Sequence, residues 1–268
     1  MLVLAVDTST KAGSVAVLEK CRVLGARESC TTQPHASGLF VDLQGVLDEL
    51  RISLEMFDLF AVASGPGSFT GLRIGLTAAK AWAEAFNRPV VAVSSLDAIV
   101  FQSLKLPHLP PGVALASVLD ARRGQVFGRL YDYDGGARCF PFEPLGEEVL
   151  LSAPEFVSRV ADQVGERETV FVSPALEPIH SALKESALKR YRVQSVSGVL
   201  APFIGEIGYV RALQRNVTDA LHLDASYVRR TDAEVKWEDA KWKDANRENA
   251  DRSDRKSEAA EWKDPSLT

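Results

Sequence analysis

The sequence predicts an α/β protein made of two similar lobes, followed by a charged C-terminal tail. Two segments far apart in the chain share one order: an apolar strand, a polar turn that starts with aspartate and contains glycine, and a second strand. One segment covers residues 2–18 with its turn at 7–13, and the other covers residues 113–133 with its turn at 120–124. This repeat indicates an internal duplication in which each lobe opens with a β-hairpin.

Apolar runs and hydrophobic periodicity predict the remaining elements. A helix over residues 35–50 carries an apolar stripe that includes Leu39, Leu43 and Val46. Further helices are predicted at residues 71–86, 95–104, 154–164, 175–188 and 202–215, and further strands at 23–28, 59–63, 89–93 and 169–172.

A glycine-rich turn joins the strand at residues 59–63 to the helix that ends at residue 86. Its sequence over residues 65–75 is Gly-Pro-Gly-Ser-Phe-Thr-Gly-Leu-Arg-Ile-Gly. Backbone amides converge at such a strand-to-helix turn and can hold an anion. The stretch lacks the lysine of a P-loop, because Leu72 follows Gly71, so the pattern is weak evidence for a phosphate site.

The helix after this turn carries a row of small residues at every fourth position, Gly71, Gly75, Ala79 and Ala83. Such a row lets another helix or a sheet approach the helix backbone closely. Two interpretations stay open from the spacing alone: packing on the neighbouring sheet of the same chain, or pairing with a partner.

The composition indicates a soluble cytoplasmic protein. The 268 residues are 46% hydrophobic, and no apolar run approaches the ~18 residues of a membrane span. The apolar stretch at residues 1–6 is too short for a signal peptide. Three cysteines without a Cys-x-x-Cys pair suit a reducing compartment. The net charge is −5, so the chain lacks the excess of Lys and Arg that usually drives nucleic-acid binding.

The glycine-rich stretch at residues 65–75, together with Asp7-Thr8-Ser9 and Asp120-Ala121-Arg122, closely resembles the TsaB (YeaZ) family. The resemblance covers residues 1–232. It implies an actin-like (ASKHA, RNase H-like) fold and a role in making N6-threonylcarbamoyladenosine in bacterial tRNA. We expect an N-terminal lobe at residues 1–105, a C-terminal lobe at 106–232 and a tail at 233–268, with the Pro-rich run at 106–112 as the lobe boundary.

The resemblance also implies partners. We expect a non-catalytic dimerisation and scaffold subunit that pairs with a TsaD-like catalytic paralogue, is joined by a TsaE-like ATPase, and forms a homodimer when alone. Contact with tRNA would come mainly through the complex. The chain would bind no cofactor tightly, and ATP would be used by the partner subunits. The expected partner-binding residues are Leu39, Leu43, Val46, Gly71, Leu72, Gly75, Leu76, Ala79, Trp82 and Ala83.

Asp7 and Asp120 are the candidate cofactor-binding residues. In actin-like proteins the aspartate of the first hairpin faces nucleotide phosphates and metal. The other interpretation, which we favour, is an aspartate that accepts hydrogen bonds from its own turn. An ATP-dependent phosphotransferase or ATPase of the actin/sugar-kinase fold, with these aspartates around a metal, is the alternative function.

Comparison with the catalytic paralogue favours the scaffold role. Its Asn-His-x-x-x-His metal-binding segment aligns with a stretch in which Ser95 and Ile99 take the histidine positions. Its Gly-Gly turn near the nucleotide aligns with Ser173-Pro174, where proline offers no N–H. The four histidines (His35, His108, His180, His222) are scattered, so we expect no catalytic residue and no metal site, and the absence of a histidine pair argues against a metallopeptidase.

The tail has a different composition. Half of the 32 residues from Trp237 onward are charged, which favours disorder or a frayed helix. Three tryptophans, Trp237, Trp242 and Trp262, leave open a docking segment that anchors through aromatic side chains.

Overall fold

Two β-sheets with helices packed on them form the structure. The computed structural model describes residues 1–29, 35–105, 109–136, 140–226 and 228, and side chains of the first helix from residue 38 onward. These residues belong to one compact unit, Met1–Val228.

Eleven strands and six α-helices lie within the described residues. The strands are β1 Leu2–Asp7, β2 Ser14–Glu19, β3 Arg22–Glu28, β4 Leu59–Gly65, β5 Val90–Ser94, β6 Ala114–Arg122, β7 Gln125–Tyr133, β8 Phe142–Pro144, β9 Val149–Ser152, β10 Thr169–Ser173 and β11 Tyr191–Ser195. The helices are α1 His35–Leu50, α2 Phe69–Phe86, α3 Ser95–Ser103, α4 Ala153–Val164, α5 Glu177–Glu185 and α6 Ala201–Leu213.

The two sheets have the same topology. The first has the order β3-β2-β1-β4-β5, with β1, β4 and β5 parallel to one another and β2 antiparallel to both of its neighbours. The second has the order β11-β10-β6-β7-β8, again with three parallel strands and an antiparallel β7, to which β9 also pairs. The duplication predicted from the two hairpins is therefore present, and the fold is the expected two-lobed actin-like fold.

The central strands are apolar along their whole length because helices cover both faces of each sheet. In β1, the residues from Val3 to Asp7 are all buried. Continuous apolar runs of this kind are typical of parallel strands packed on both sides. The outer face of the first sheet packs on α1 and α2, and the outer face of the second packs on α4 and α5.

Helices α3 and α6 lie between the two sheets, and each packs on the sheet of the other lobe. Although α3 follows the first sheet in the chain, it also packs on β6 and β10, while α6 follows the second sheet and packs on β1, β2 and β4. Their buried side chains, such as Ile99 and Ile204, belong to one apolar cluster with residues from both sheets. This exchange ties the two predicted lobes together.

Three strands were missed by sequence reasoning, and one helix is shorter than expected. β8, β9 and β11 are short, and β11 (Tyr-Arg-Val-Gln-Ser) lacks an apolar pattern because it is an edge strand held by backbone pairing to β10 alone. Helix α5 begins at Glu177, with proline in its first turn, and ends at Glu185, where Ser186 adopts extended backbone.

Several expectations lie outside the described residues. They concern the tail at 233–268 with its tryptophans, the part of the lobe boundary at 106–108 with His108, two of the three cysteines, Cys30 and Cys139, and the His35 side chain. No helix within the described parts of the chain is long and apolar enough to span a membrane.

Candidate functional site

The ten predicted partner-binding residues lie on α1 and α2, and all of them are buried in this chain. The side chains of the eight that are not glycine belong to one apolar cluster with β1, β2 and β4, and Trp82 is the most exposed of these eight at 8%. The buried positions are Leu39, Leu43, Val46, Gly71, Leu72, Gly75, Leu76, Ala79, Trp82 and Ala83. They therefore form the inward faces of the two helices.

The glycine row of α2 allows close packing within the chain. A Cβ atom added at Gly71 would lie 1.9 Å from the carbonyl oxygen of Thr8, and one added at Gly75 would lie 2.4 Å from the Thr8 hydroxyl. Real Cβ atoms do not approach this closely, so only glycine lets α2 pass over the turn after β1. Of the two interpretations of the row, the structure shows the intramolecular one.

The outward faces of α1 and α2 expose a different set of side chains. Phe40 is 52% exposed and Val41 is 58% exposed. The Phe40 ring makes an edge contact with Trp82, with a centroid distance of 6.5 Å, which joins the exposed surface to the core. On α2, Arg73 lies over the Phe69 ring at 4.0 Å. The two large exposed apolar side chains are thus neighbours on α1, and the exposed side chains of α2 are polar or small.

The glycine-rich turn before α2 already uses several of its backbone amides. The Ser68 N–H donates to the carbonyl oxygen of Ser9 at 2.7 Å. The Ser68 hydroxyl caps the helix by accepting from the Gly71 N–H at 3.3 Å. Protein acceptors therefore occupy positions that an anion would need.

Asp7 lies at the carboxyl end of β1 and is fully buried. Its Oδ1 accepts hydrogen bonds from the Ser9 N–H at 2.8 Å and from the Ser9 hydroxyl at 2.6 Å, and its Oδ2 accepts from the Thr10 hydroxyl at 3.3 Å. This is the turn-stabilising arrangement favoured from the sequence.

Asp120 holds the corresponding place near the end of β6, but it is exposed. Its Oδ1 accepts from the Arg122 N–H at 2.7 Å. The two predicted cofactor-binding aspartates thus share a topological position and a bond to the amide two residues onward, and they differ in burial.

The positions aligned with the paralogue's metal ligands are occupied by packing residues. The Ser95 hydroxyl donates to the Ser9 hydroxyl at 2.9 Å, and Ile99 is fully buried between the sheets. At the end of β10, the Ser173 hydroxyl donates to the carbonyl oxygen of Ala175 at 2.6 Å. Within the described ranges, no group of three or more His, Cys, Asp or Glu side chains is placed to hold a metal ion.

A charged cavity of about 630 Å³ lies where β5, β7, α3 and α6 meet. Its central carboxylate, Asp97, accepts from the Tyr131 hydroxyl at 2.9 Å and from the Arg211 guanidinium at 2.7 Å. Arg129 is 3.6 Å from the same carboxylate. The lining residues are Ser64, Ala92, Ser94, Asp97, Arg129, Glu147, Glu148, Arg211, Ser226 and Val228.

Glu148 is a partly buried carboxylate of the same cavity. It accepts from the hydroxyl groups of Ser94 and Ser226, the latter at 3.1 Å, and lies 3.9 Å from Arg129. Burial raises the pKa of Glu148; the two hydroxyl groups and Arg129 oppose this rise, and the Asp97 charge adds to it. Burial and the Asp97 charge also raise the pKa of Tyr131, so its hydroxyl stays protonated as a donor.

Sequence reasoning missed the charged cavity entirely. Its charged residues come from separate parts of the chain between Asp97 and Arg211, and no short spacing links them. Arg129, which lies among apolar residues in the middle of β7, is the one local signal in the sequence.

Comparisons with known proteins agree with this geometry. A family model described as "TsaD: tRNA N6-adenosine threonylcarbamoyltransferase" matches residues 29–161. The chain is similar to the tRNA threonylcarbamoyladenosine biosynthesis protein TsaB of Bacillus subtilis, with 26% identity over 247 residues that cover 88% of this chain and 98% of that protein. The protein of the same name from Haemophilus influenzae is 25% identical over 241 residues, covering 88% and 96%.

A solved structure shows the same fold. YeaZ from Pseudomonas aeruginosa has a TM-score of 0.68 and 24% identity, covering 84% of this chain and 99% of that one. These two relatives match along nearly their whole length, the fold agrees, and residues 65–75 form the predicted strand-to-helix turn from β4 into α2. From these findings together, the chain belongs to the TsaB (YeaZ) family.

Proposed function

We propose that this chain is a non-catalytic dimerisation and scaffold subunit in the synthesis of tRNA N6-threonylcarbamoyladenosine. In this proposal it pairs with a TsaD-like catalytic subunit in the cytoplasm, and a TsaE-like ATPase joins the pair. The observation that carries the proposal is the pair of apolar side chains exposed on α1, Phe40 and Val41, each more than half exposed, in a member of the TsaB family.

The contact would use the outward faces of the two helices. On α2 the exposed positions Arg73, Thr77, Ala81 and Ala85 form a second row at every fourth residue, and three of its members are small. Small residues allow a partner helix to approach closely, while Phe40 and Val41 supply apolar area. The inward residues, from Leu39 to Ala83, would act by fixing the positions of α1 and α2.

The remaining parts of the proposal follow from charge and from the family. With a net charge of −5, the chain would contact tRNA mainly through the assembled complex. It would bind no cofactor tightly, and the partner subunits would use the ATP. Without its partner, the same apolar surface would pair with a second copy of the chain.

The test is co-purification with the TsaD-like protein of the same organism, with the mass of the complex measured by light scattering. We expect a 1:1 complex that Val41→Glu and Ala81→Arg each weaken at least tenfold, about 1.4 kcal/mol. Both positions are exposed, so these variants test docking without disturbing the core. Leu221→Glu, at an exposed apolar position (77%) outside α1 and α2, is the matched control and should bind normally.

A complex that survives both variants would place the contact elsewhere. Absence of any complex, together with micromolar ATP binding that Asp7→Ala abolishes, would support the alternative of an ATP-dependent enzyme.

A further inference from the structure

The turn at the tip of the β6–β7 hairpin carries two consecutive arginines in a backbone conformation that arginine rarely adopts. Arg122 and Arg123 have φ angles of 62° and 56°, and Gly124 follows with 73°. Arg122 pairs with Gln125 across the hairpin, so Arg123 and Gly124 form a two-residue turn with positive φ at both positions. Such turns favour asparagine or glycine at the first position, because a left-handed conformation brings the Cβ of other residues close to the following carbonyl oxygen. The hairpin therefore keeps arginine where other residues would make a more stable turn.

Two other arginines with positive φ have a structural explanation that does not apply to this turn. Arg51 and Arg215, with φ angles of 55° and 61°, each come just after an α-helix, α1 or α6. A left-handed residue commonly ends a helix, because it turns the next amides toward the last free carbonyl groups. The Asn216 N–H, for example, donates to the carbonyl oxygen of Arg211 at 2.9 Å. The β6–β7 turn joins two strands instead, and strain that is kept without such a need points to a function of the side chains.

The tip of this hairpin protrudes, and its backbone is held in place. β10 pairs with β6 only as far as Ser117, and β6 continues from there to Arg122 without this neighbour. The Asp120 carboxylate accepts from the Arg122 N–H at 2.7 Å, and the Ala153 N–H at the start of α4 donates to the carbonyl oxygen of Gly124 at 3.2 Å. Both arginines are exposed, and a Cβ added at Gly124 would meet no described atom within 4 Å. A fixed backbone thus presents two exposed guanidinium groups.

We propose that Arg122 and Arg123 contact the phosphate backbone of an RNA. A guanidinium group donates two parallel hydrogen bonds to a phosphate, which is why arginine is the usual residue for this contact. Small phosphate ligands bind in concave pockets, whereas this turn is convex and exposed, so it fits phosphates on the surface of a large partner. The inference rests on the proposed function for the identity of the RNA, a tRNA held by the assembled complex. It gives an acidic subunit a local point of contact with that tRNA.

The experiment measures the affinity of the assembled complex for tRNA at several salt concentrations, after light scattering has shown that the complex forms. Each lost phosphate contact lowers the slope of log affinity against log salt by nearly one. We therefore expect the double variant Arg122→Gln, Arg123→Gln to lower that slope by about 1.5 and to weaken tRNA binding about tenfold.

A second variant separates a role in binding from a role in folding. Arg123→Asn gives the turn the residue that its conformation favours, so thermal unfolding should shift to a higher temperature while tRNA binding weakens. A purely structural arginine would not give this combination.

The matched control is Lys20→Asn. Lys20 is also an exposed cation with positive φ, 58°, in a hairpin turn, but it lies between β2 and β3 of the first sheet. Its replacement should leave both the tRNA affinity and the salt slope unchanged.

Three results would overturn the proposal. The first is a folded double variant that binds tRNA with the affinity and salt slope of the unaltered chain. The second is ATP binding that the double variant loses while tRNA binding stays, which would assign the arginines to a nucleotide. The third is weaker pairing with the TsaD-like protein at an unchanged tRNA affinity, which would assign them to an acidic protein surface.

Failure of the scaffold role is distinguished by the light-scattering step. If no complex forms, the same titration is made with the full chain alone at low salt. Weaker tRNA binding by the double variant would then still support the contact, and equal binding, or none by either chain, would overturn it.

Discussion

The two lobes have the same sheet topology but use it differently at their first hairpins. In the β1–β2 hairpin Asp7 is fully buried and accepts three hydrogen bonds from the turn that follows it. In the β6–β7 hairpin Asp120 is exposed and accepts one bond from the Arg122 N–H. Residues that correspond in the duplication therefore differ in burial and in the number of hydrogen bonds that they accept from their turns.

The outer helices of the lobes differ as well. Helix α2 has 18 residues, a serine cap and glycines that touch the first hairpin, whereas the corresponding α5 has nine residues and no side-chain cap. The first lobe thus has a long helix held close to its sheet, with apolar side chains exposed on the neighbouring α1. The two lobes therefore share their sheet topology and differ in the length and capping of their outer helices.

The largest expected effect comes from the glycine contact that distinguishes α2 from α5. Gly71→Ala places a methyl group 1.9 Å from the Thr8 carbonyl oxygen, so the helix must move away from the sheet. We expect a loss of about 3 kcal/mol or more in the free energy of unfolding, measured by urea denaturation. The control is Gly38→Ala on α1, where the nearest atom is 3.7 Å away, and a gain of about 0.5–1 kcal/mol is expected. Equal stability of the two variants would refute the close-packing argument.

A smaller difference in stability is expected between variants of the two hairpin aspartates. Asp7→Ala leaves the buried Ser9 N–H and hydroxyl without their acceptor and should cost about 2 kcal/mol. Asp120→Ala removes one exposed bond and should cost about 0.5 kcal/mol or less. Thermal unfolding of both variants checks this difference. An Asp7→Ala variant that is no more destabilised than Asp120→Ala would contradict the turn-stabilising role of Asp7.

The smallest expected loss of stability comes from removing one helix cap in each lobe. Ser152 caps α4 in a capping box, in which Glu155 bonds back to the Ser152 N–H at 3.0 Å. Ser68 caps α2 through one bond of 3.3 Å. We expect Ser152→Ala to cost about 1 kcal/mol and Ser68→Ala about 0.5 kcal/mol, read from the shift in the denaturation midpoint. The reverse order would show that the packing of α2 on Thr8 depends on its cap.

Much of the fold could be predicted because its signals are local. The helix bounds of α1 were predicted to the residue from its apolar stripe, and β7 was predicted with its observed bounds. The polar edge strand β11 could not be predicted, since backbone pairing rather than side-chain pattern holds it. The predicted partner residues show the same limit, because the pattern marked the apolar positions of α1 and α2 and the structure places the chosen residues on the inward faces of these helices.

The sequence alone determined the two hairpins, the helices with their apolar stripes and the glycine-rich motif of the TsaB family. These features follow from the preferences and periodicity of neighbouring residues. The tertiary structure decided which of the two small-residue rows on α2 meets the sheet, how α3 and α6 exchange between the sheets, and that Asp97, Arg129, Glu148 and Arg211 line one cavity. Those outcomes depend on packing between residues far apart in the chain, which no local pattern records.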